Sequence, residues 1–223
     1  MTTTEGQELL LFYIVCDESG SMGQNGGIDA INQALPELHA TIAADPLAVD
    51  KSRLAIIAFS DDAQLILPLA KVTDVPDMPG VQPAGMTNYG RAFELLKNCI
   101  ESDVEALKAQ SYRVYRPCAF FMSDGEPTDD WDSSYRDLMA HKYHPHIVAF
   151  GVDGADPTSL SKIATLRCFV GKDRSNAGRA LASVMSSIGK TIITTSSTAT
   201  AGPPDIIVPQ QIDGFESVPL EEL

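Results

Sequence analysis

Hydrophobic positions along this chain alternate between short continuous runs and helical spacing. Leu9 to Cys16 (LLLFYIVC) and Cys118 to Met122 (CAFFM) are unbroken apolar runs of strand length, and Arg53 to Phe59 (RLAIIAF) is apolar throughout after its first residue. Such runs mark parallel strands covered on both faces. Ile147 to Val152 and Cys168 to Val170 read as further strands. Between them lie helical patterns: Ile28 to Ala43, Asn88 to Ala109, Asp132 to His141, Ser159 to Leu166 and Ala177 to Gly189. In the first, Ile31, Ala34, Leu35, Leu38 and Ile42 recur at three- and four-residue spacing, one face of a helix. The turn cluster Ser60-Asp61-Asp62 before Gln64 to Pro68 is too short for a crossover, so it predicts a hairpin with an antiparallel edge strand.

Strands alternating with helices predict a doubly wound α/β domain, a mostly parallel sheet with helices on both faces and one short antiparallel edge strand. This domain is expected over residues 1–190. Thr191 to Gly202 reads as a Thr/Ser-rich linker and the remainder, to residue 223, as an acidic tail. That tail reads as a poorly ordered or strand-adding terminus. The alternative is that Asp213, Glu216, Glu221 and Glu222 mimic a partner and reach the metal of this or a neighbouring molecule.

Charge narrows the partners. The chain of 223 residues carries 30 acidic and 16 basic side chains, a formal net charge of −14. Nucleic acid and anionic membrane surfaces are polyanions and would repel it. No Lys or Arg precedes Lys51, and none follows Lys190. The polar, acidic start lacks the pattern of a secretory signal, and the longest apolar run is far shorter than the ~20 residues that span a bilayer. Cys16, Cys99, Cys118 and Cys168 form no CxxC motif. They predict a reduced, cytoplasmic protein in which thiols act as small core hydrophobes.

Three segments fall at the carboxyl ends of predicted strands: Asp17-Glu18-Ser19-Gly20-Ser21-Met22, Gly85-Met86-Thr87-Asn88, and Ser123-Asp124-Gly125-Glu126-Pro127-Thr128-Asp129. In a doubly wound sheet such ends meet in the crevice where strand order reverses. Two carboxylates, Asp17 and Asp124, would meet three hydroxyls, Ser19, Ser21 and Thr87. All five are hard oxygen donors, which suits Mg²⁺, with Mn²⁺ as an alternative. The competing reading has Asp17, Ser19 and Ser21 merely cap a helix and satisfy a glycine turn.

These segments resemble the metal-ion-dependent adhesion site of von Willebrand factor A domains, in the order Asp-x-Ser-x-Ser, then Thr, then Asp in a strand-ending Ser-Asp-Gly. The resemblance implies Ser19, Ser21 and Thr87 as direct ligands and Asp17 and Asp124 as largely water-mediated ones. It also implies a protein partner whose Glu or Asp completes the shell. FMSDGEPTDDW and the single-domain format are similar to TerY-type proteins of bacterial tellurite-resistance and stress systems, which are associated with a protein kinase and a protein phosphatase. A non-enzymatic adaptor is therefore expected, with Glu18, Met22, Asn88, Glu126 and Trp131 as a partner-binding rim. Trp131 also has the simpler reading of partial core packing.

Other chemistries fit less well. A phosphatase of the haloacid dehalogenase type would use Asp17 as nucleophile, but its acid/base position holds Ser19. A phosphate-binding loop at Gly20 to Gly27 lacks its lysine. His141-Lys142-Tyr143-His144-Pro145-His146 reads as a helix-end loop, not a zinc site, and Asp129 and Asp130 as the start of the following helix.

Overall fold

The computed structural model describes residues 6–153, 155, 157–172, 177–199 and 204–220. Eight strands are present among them: β1 (Glu8–Asp17), β2 (Ser52–Phe59), β3 (Ala63–Ala70), β4 (Arg113–Val114), β5 (Cys118–Ser123), β6 (His146–Gly151), β7 (Arg167–Gly171) and β8 (Phe215–Val218). The helices are α1 (Gly20–Gln24), α2 (Gly27–Ala43), α3 (Pro46–Lys51), α4 (Tyr89–Ala109), α5 (Asp132–Ala140), α6 (Pro157–Ile163) and α7 (Ala177–Thr198).

The sheet runs β3-β2-β1-β5-β6-β7-β8, with β4 paired to the start of β1. β2, β1, β5, β6 and β7 are parallel, and β3 and β8 are antiparallel edges. β1 sits at the centre because its side chains are apolar on both faces. Leu10, Phe12, Ile14 and Cys16 enter the layer built with α2 and α7, while Leu9, Leu11, Tyr13 and Val15 enter the layer built with α4 and α6. The chain leaves β1 toward β2 on one side and returns to β5 on the other, so strand order reverses between β1 and β5. That places Asp17 and Ser123 side by side at the mouth of the switch point.

The second layer is aromatic where it backs the site. Phe121 of β5 lies 5.1 Å from Phe59, 4.7 Å from Tyr89 and 5.5 Å from Phe93, measured between ring centroids. Tilted, edge-on and stacked contacts of this kind contribute beyond area burial, and they fix the first turn of α4 against β5.

The C-terminal part departs from expectation. The helix expected to end at Gly189 runs to Thr198, through most of the segment read as linker. Its hydroxyls bond back to the preceding turn, Thr191 to Ser187 O at 2.9 Å and Ser197 to Ile193 O at 2.9 Å, so polar side chains do not compete with the helix. Ile192, Thr195, Ser196 and Ala199 are buried, and Lys51 Nζ donates to Ala199 O. Packing overrides composition there. The tail then adds a strand: Phe215 and Ile212 are buried, and β8 pairs with β7 from Gly171↔Phe215 to Cys168↔Val218. Glu216 stands opposite Val170, three strands from β5 and so roughly 14 Å away at about 4.8 Å per strand. Glu221 and Glu222 lie outside the described residues.

Candidate metal centre

Asp17 ends β1 fully buried, and its carboxylate is held at both oxygens. Oδ1 accepts from Ser19 N–H at 2.8 Å and Oδ2 from Ser123 Oγ at 2.6 Å. The chain then turns into α1, which carries Ser21 across to β5. Ser19 Oγ lies 3.1 Å from Ser21 Oγ, and Ser21 Oγ donates to Asp124 Oδ1 at 2.8 Å. Asp17, Ser19, Ser21 and Asp124 thus form one continuous hydrogen-bonded set across the switch point.

Thr87 arrives from the loop before α4. It is buried, with Oγ1 beside Gly125, next to Asp124. Two bonds lock its loop to the one after β5: Thr128 N–H to Thr87 O at 2.9 Å, and Thr87 N–H to Thr128 Oγ1 at 3.3 Å. The loop is also pinned to the first segment and to the turn after β2. Ala84 N–H donates to Glu18 O at 2.7 Å, Gly20 N–H to Gly85 O at 3.1 Å, and Met86 N–H to Asp61 Oδ1 at 3.0 Å. Gly85 has φ +54°, and a Cβ there would stand 2.4 Å from Asp61 Oδ2, so only glycine fits.

The electrostatics follow from this burial. Loss of solvent raises the Asp17 carboxyl to about 6, with the Asp124 charge adding to it and the Ser123 and Ser19 bonds opposing. Asp124 is raised by burial and by Asp153, against the bonds from Ser21 and Asn25. Two carboxylates therefore share a poorly solvated crevice with three hydroxyls. Among the described residues no group of three or more His, Cys, Asp or Glu is placed to hold a metal, so any ion here depends on the hydroxyls. The donors are all hard oxygens, and a small divalent cation would favour the ionised form of both acids. The residues fit Mg²⁺ or Mn²⁺.

The expected rim is revised. Glu18 is not a solvated rim residue: it is buried, bonded to Ser60 and the Gln82 N–H, and its carboxyl is raised by burial. Met22 is fully buried in the core under α1, because the short helix turns that side inward. Asn88 is half-buried and braced, donating to Asp61 O at 2.9 Å and accepting from Thr128 Oγ1 at 2.9 Å. Trp131 is half-buried among Tyr89, Phe93 and Tyr135, the core-packing alternative. Glu126 is exposed, as a rim position requires, and Met86 joins it at 58% exposure.

Sequence reasoning missed several supports. Asp129 does not start α5; it caps α4, accepting from Tyr89 N–H at 3.0 Å and Gly90 N–H at 2.8 Å. Ser123 was visible in the Ser-Asp-Gly segment, but not its bond to Asp17. Asn25 bonds both Asp124 and Asp153 and carried no local signal.

The family model described as von Willebrand factor type A domain matches residues 12–126, which take in all five candidate ligands. No curated protein matches the chain significantly. Similar solved structures include a von Willebrand factor type A protein from Catenulispora acidiphila, with TM-score 0.57, 18% identity, and coverage of 83% of this chain and 43% of that one. Proximal thread matrix protein 1 from the mussel byssus, with a zinc-occupied MIDAS motif, gives TM-score 0.60 and 18% identity over 81% of this chain and 48% of that one. The pilus adhesin SpaC from Lactobacillus rhamnosus GG gives TM-score 0.64 and 13% identity over 85% and 31%. This chain spans less than half the length of each, and at such identities the likeness speaks for the fold alone.

Proposed function

The chain belongs to the von Willebrand factor type A domain family, and on that premise we propose that it is a non-enzymatic, metal-dependent protein-binding module. The observation that carries this reading is the convergence of Asp17, Ser19, Ser21 and Asp124, with Thr87 alongside, at the switch point of the sheet. Ser19, Ser21 and Thr87 would hold Mg²⁺ through their hydroxyls. Asp17 and Asp124, whose oxygens already accept hydrogen bonds, would act largely through water. When bound, the ion supplies a Lewis-acidic position for a carboxylate oxygen of a partner's Glu or Asp. The mussel protein's zinc-occupied motif supports a divalent ion at such a site.

What the chain itself does is preorganise. Asp17 orients the Ser19 backbone, Ser123 locks Asp17, and the Asp61, Glu18 and Thr128 contacts hold the Thr87 loop before any partner arrives. Met86 and Glu126 are the side chains presented beside the opening. The FMSDGEPTDDW loop supports the narrower reading, a TerY-like adaptor in a bacterial stress and phosphorylation signalling complex with a protein kinase or phosphatase as partner. Four buried free cysteines accord with a cytoplasmic setting, and no helix among the described residues is long and apolar enough to cross a membrane. The phosphatase alternative has no support: the residue two beyond Asp17 is Ser19, engaged with Ser21.

Calorimetric titration of metal-free protein with Mg²⁺ and Mn²⁺, repeated on Asp17→Ala, tests the reading together with pull-downs with and without EDTA. Heat and partner capture that both vanish in the variant support it. Partner capture that survives EDTA and the substitution would sink it.

A further inference from the structure

Asn25 closes α1, and its amide is oriented by its own contacts. Oδ1 accepts from Gly27 N–H at 2.8 Å, which turns Nδ2 toward two carboxylates. Nδ2 donates to Asp124 Oδ2 at 2.7 Å and to Asp153 Oδ2 at 2.8 Å. The other oxygen of Asp124 accepts from Ser21 Oγ. Asp124 therefore has one oxygen on the side of the hydroxyls and the other tied away from them, and Asn25 links three segments: the end of α1, the end of β5 and the turn after β6.

We propose that Asn25 is a positioning residue that sets the ion preference of the metal site, by holding Asp124 so that only one of its oxygens faces the ion, through water, and neither can turn in to bind it directly. The inference rests on the metal-dependent reading above and adds selectivity to it. Calcium takes six to eight oxygens and readily accepts a carboxylate through both, whereas magnesium needs a compact octahedron built from single oxygens and water. A carboxylate restrained at Oδ2 serves the second geometry and not the first. Freed from Asn25, Asp124 can turn to offer both oxygens, which rewards the larger ion. Hydrogen bonds to a ligating carboxylate also orient it, and their loss typically weakens metal binding 10- to 100-fold.

The test is calorimetric titration of the full chain, stripped with EDTA, against Mg²⁺ and Ca²⁺ separately, for wild type, Asn25→Ala and Asn25→Asp. Asn25→Asp keeps an acceptor for Gly27 N–H but cannot donate and sets a third acid beside Asp124 and Asp153, whereas Asn25→Ala removes the same bonds without adding charge. Asn25→Ala is expected to lose roughly 10- to 100-fold in Mg²⁺ affinity and to lose less, or gain, for Ca²⁺, and in both variants the Ca²⁺/Mg²⁺ affinity ratio is expected to rise about tenfold or more. Metal-free melting curves separate this from a folding defect. A lowered Tm with an unchanged ratio would make Asn25 a structural residue only and overturn the inference. An unchanged ratio in both variants, with wild type binding Mg²⁺, overturns the inference alone. A wild type that binds neither ion overturns the metal-dependent reading and this inference with it.

Discussion

Replacing Asp17 by Asn is expected to stabilise the metal-free protein at neutral pH while destroying its metal site. The side chain is fully buried, and its carboxyl is raised from 3.8 to about 6. With the folded value above the unfolded one, the native state holds the proton more tightly between those two pH values. The contribution to stability is therefore intact below about pH 4, falls as pH rises toward 6, and stays lost above it. The whole interval corresponds to about 3 kcal/mol as an upper bound. Asparagine has nearly the same shape and no charge. Its oxygen can keep the Ser19 N–H bond, and the Ser123 hydroxyl can rotate to accept from its amide. In EDTA at pH 8, urea unfolding should show Asp17→Asn more stable than wild type by about 1–3 kcal/mol, with the advantage disappearing near pH 4. Mg²⁺ at a hundred times its Kd should add about 2.7 kcal/mol to wild type and nothing to the variant. An Asp17→Asn protein no more stable than wild type at pH 8, or equally favoured at pH 4, would refute the argument.

Phe121→Ala should cost about 3–5 kcal/mol in urea unfolding, since it empties the centre of the aromatic layer behind the site; a loss under about 1 kcal/mol would mean that layer relaxes. Asp129→Ala removes the acceptor for two α4 backbone donors and should cost about 1–2 kcal/mol. It should also loosen the Thr87 loop, read as weaker Mg²⁺ binding in the same preparation. Deleting residues from 203 onward uncovers β7 and the pockets that hold Ile212 and Phe215. A lower melting temperature and concentration-dependent association in sedimentation are expected, and melting and sedimentation unchanged from the full chain would contradict the strand's role. Because the chain carries −14, a partner basic around its ligating carboxylate should associate more slowly as salt rises, measurable by stopped flow.

The sheet and its crossover helices were legible because burial on both faces leaves unbroken apolar runs such as LLLFYIVC, and because one-sided helices repeat at three and four. The segments bearing Asp17, Thr87 and Asp124 were legible for a related reason: polar residues directly after an apolar run must sit at the strand's end. What escaped was long-range or context-dependent. Glu18 looks like a surface acid, yet Ser60 and the loop at Gln82 to Ala84 close over it. Asp129 looks like a helix start, but the donors it satisfies belong to α4, 39 and 40 residues earlier. Asn25 and Asp153 are 128 residues apart, and no periodicity connects them. The last nine residues of α7 were lost because Thr and Ser favour loops intrinsically, a weak preference that burial against neighbouring elements reverses. One omission was avoidable: Asp45 before Pro46 is a helix-start signature, and Asp45 Oδ1 accepts from Ala48 N–H at 2.8 Å.

The two antiparallel edges differ in when they can form. β3 follows β2 after a three-residue turn and can pair as soon as it is made, whereas β8 reaches β7 only after α7 has been synthesised. Roughly 45 residues separate them, which at about 5–20 residues per second leaves β7 without its outer neighbour for some 2–9 s. During that interval an apolar strand edge (Cys168, Phe169, Val170) is open to any extended segment nearby. Strand β8 is thus the step that ends the nascent chain's exposure, and substitutions in residues 204–218 would show first as lower soluble yield in the cell, before any loss in the purified, folded protein.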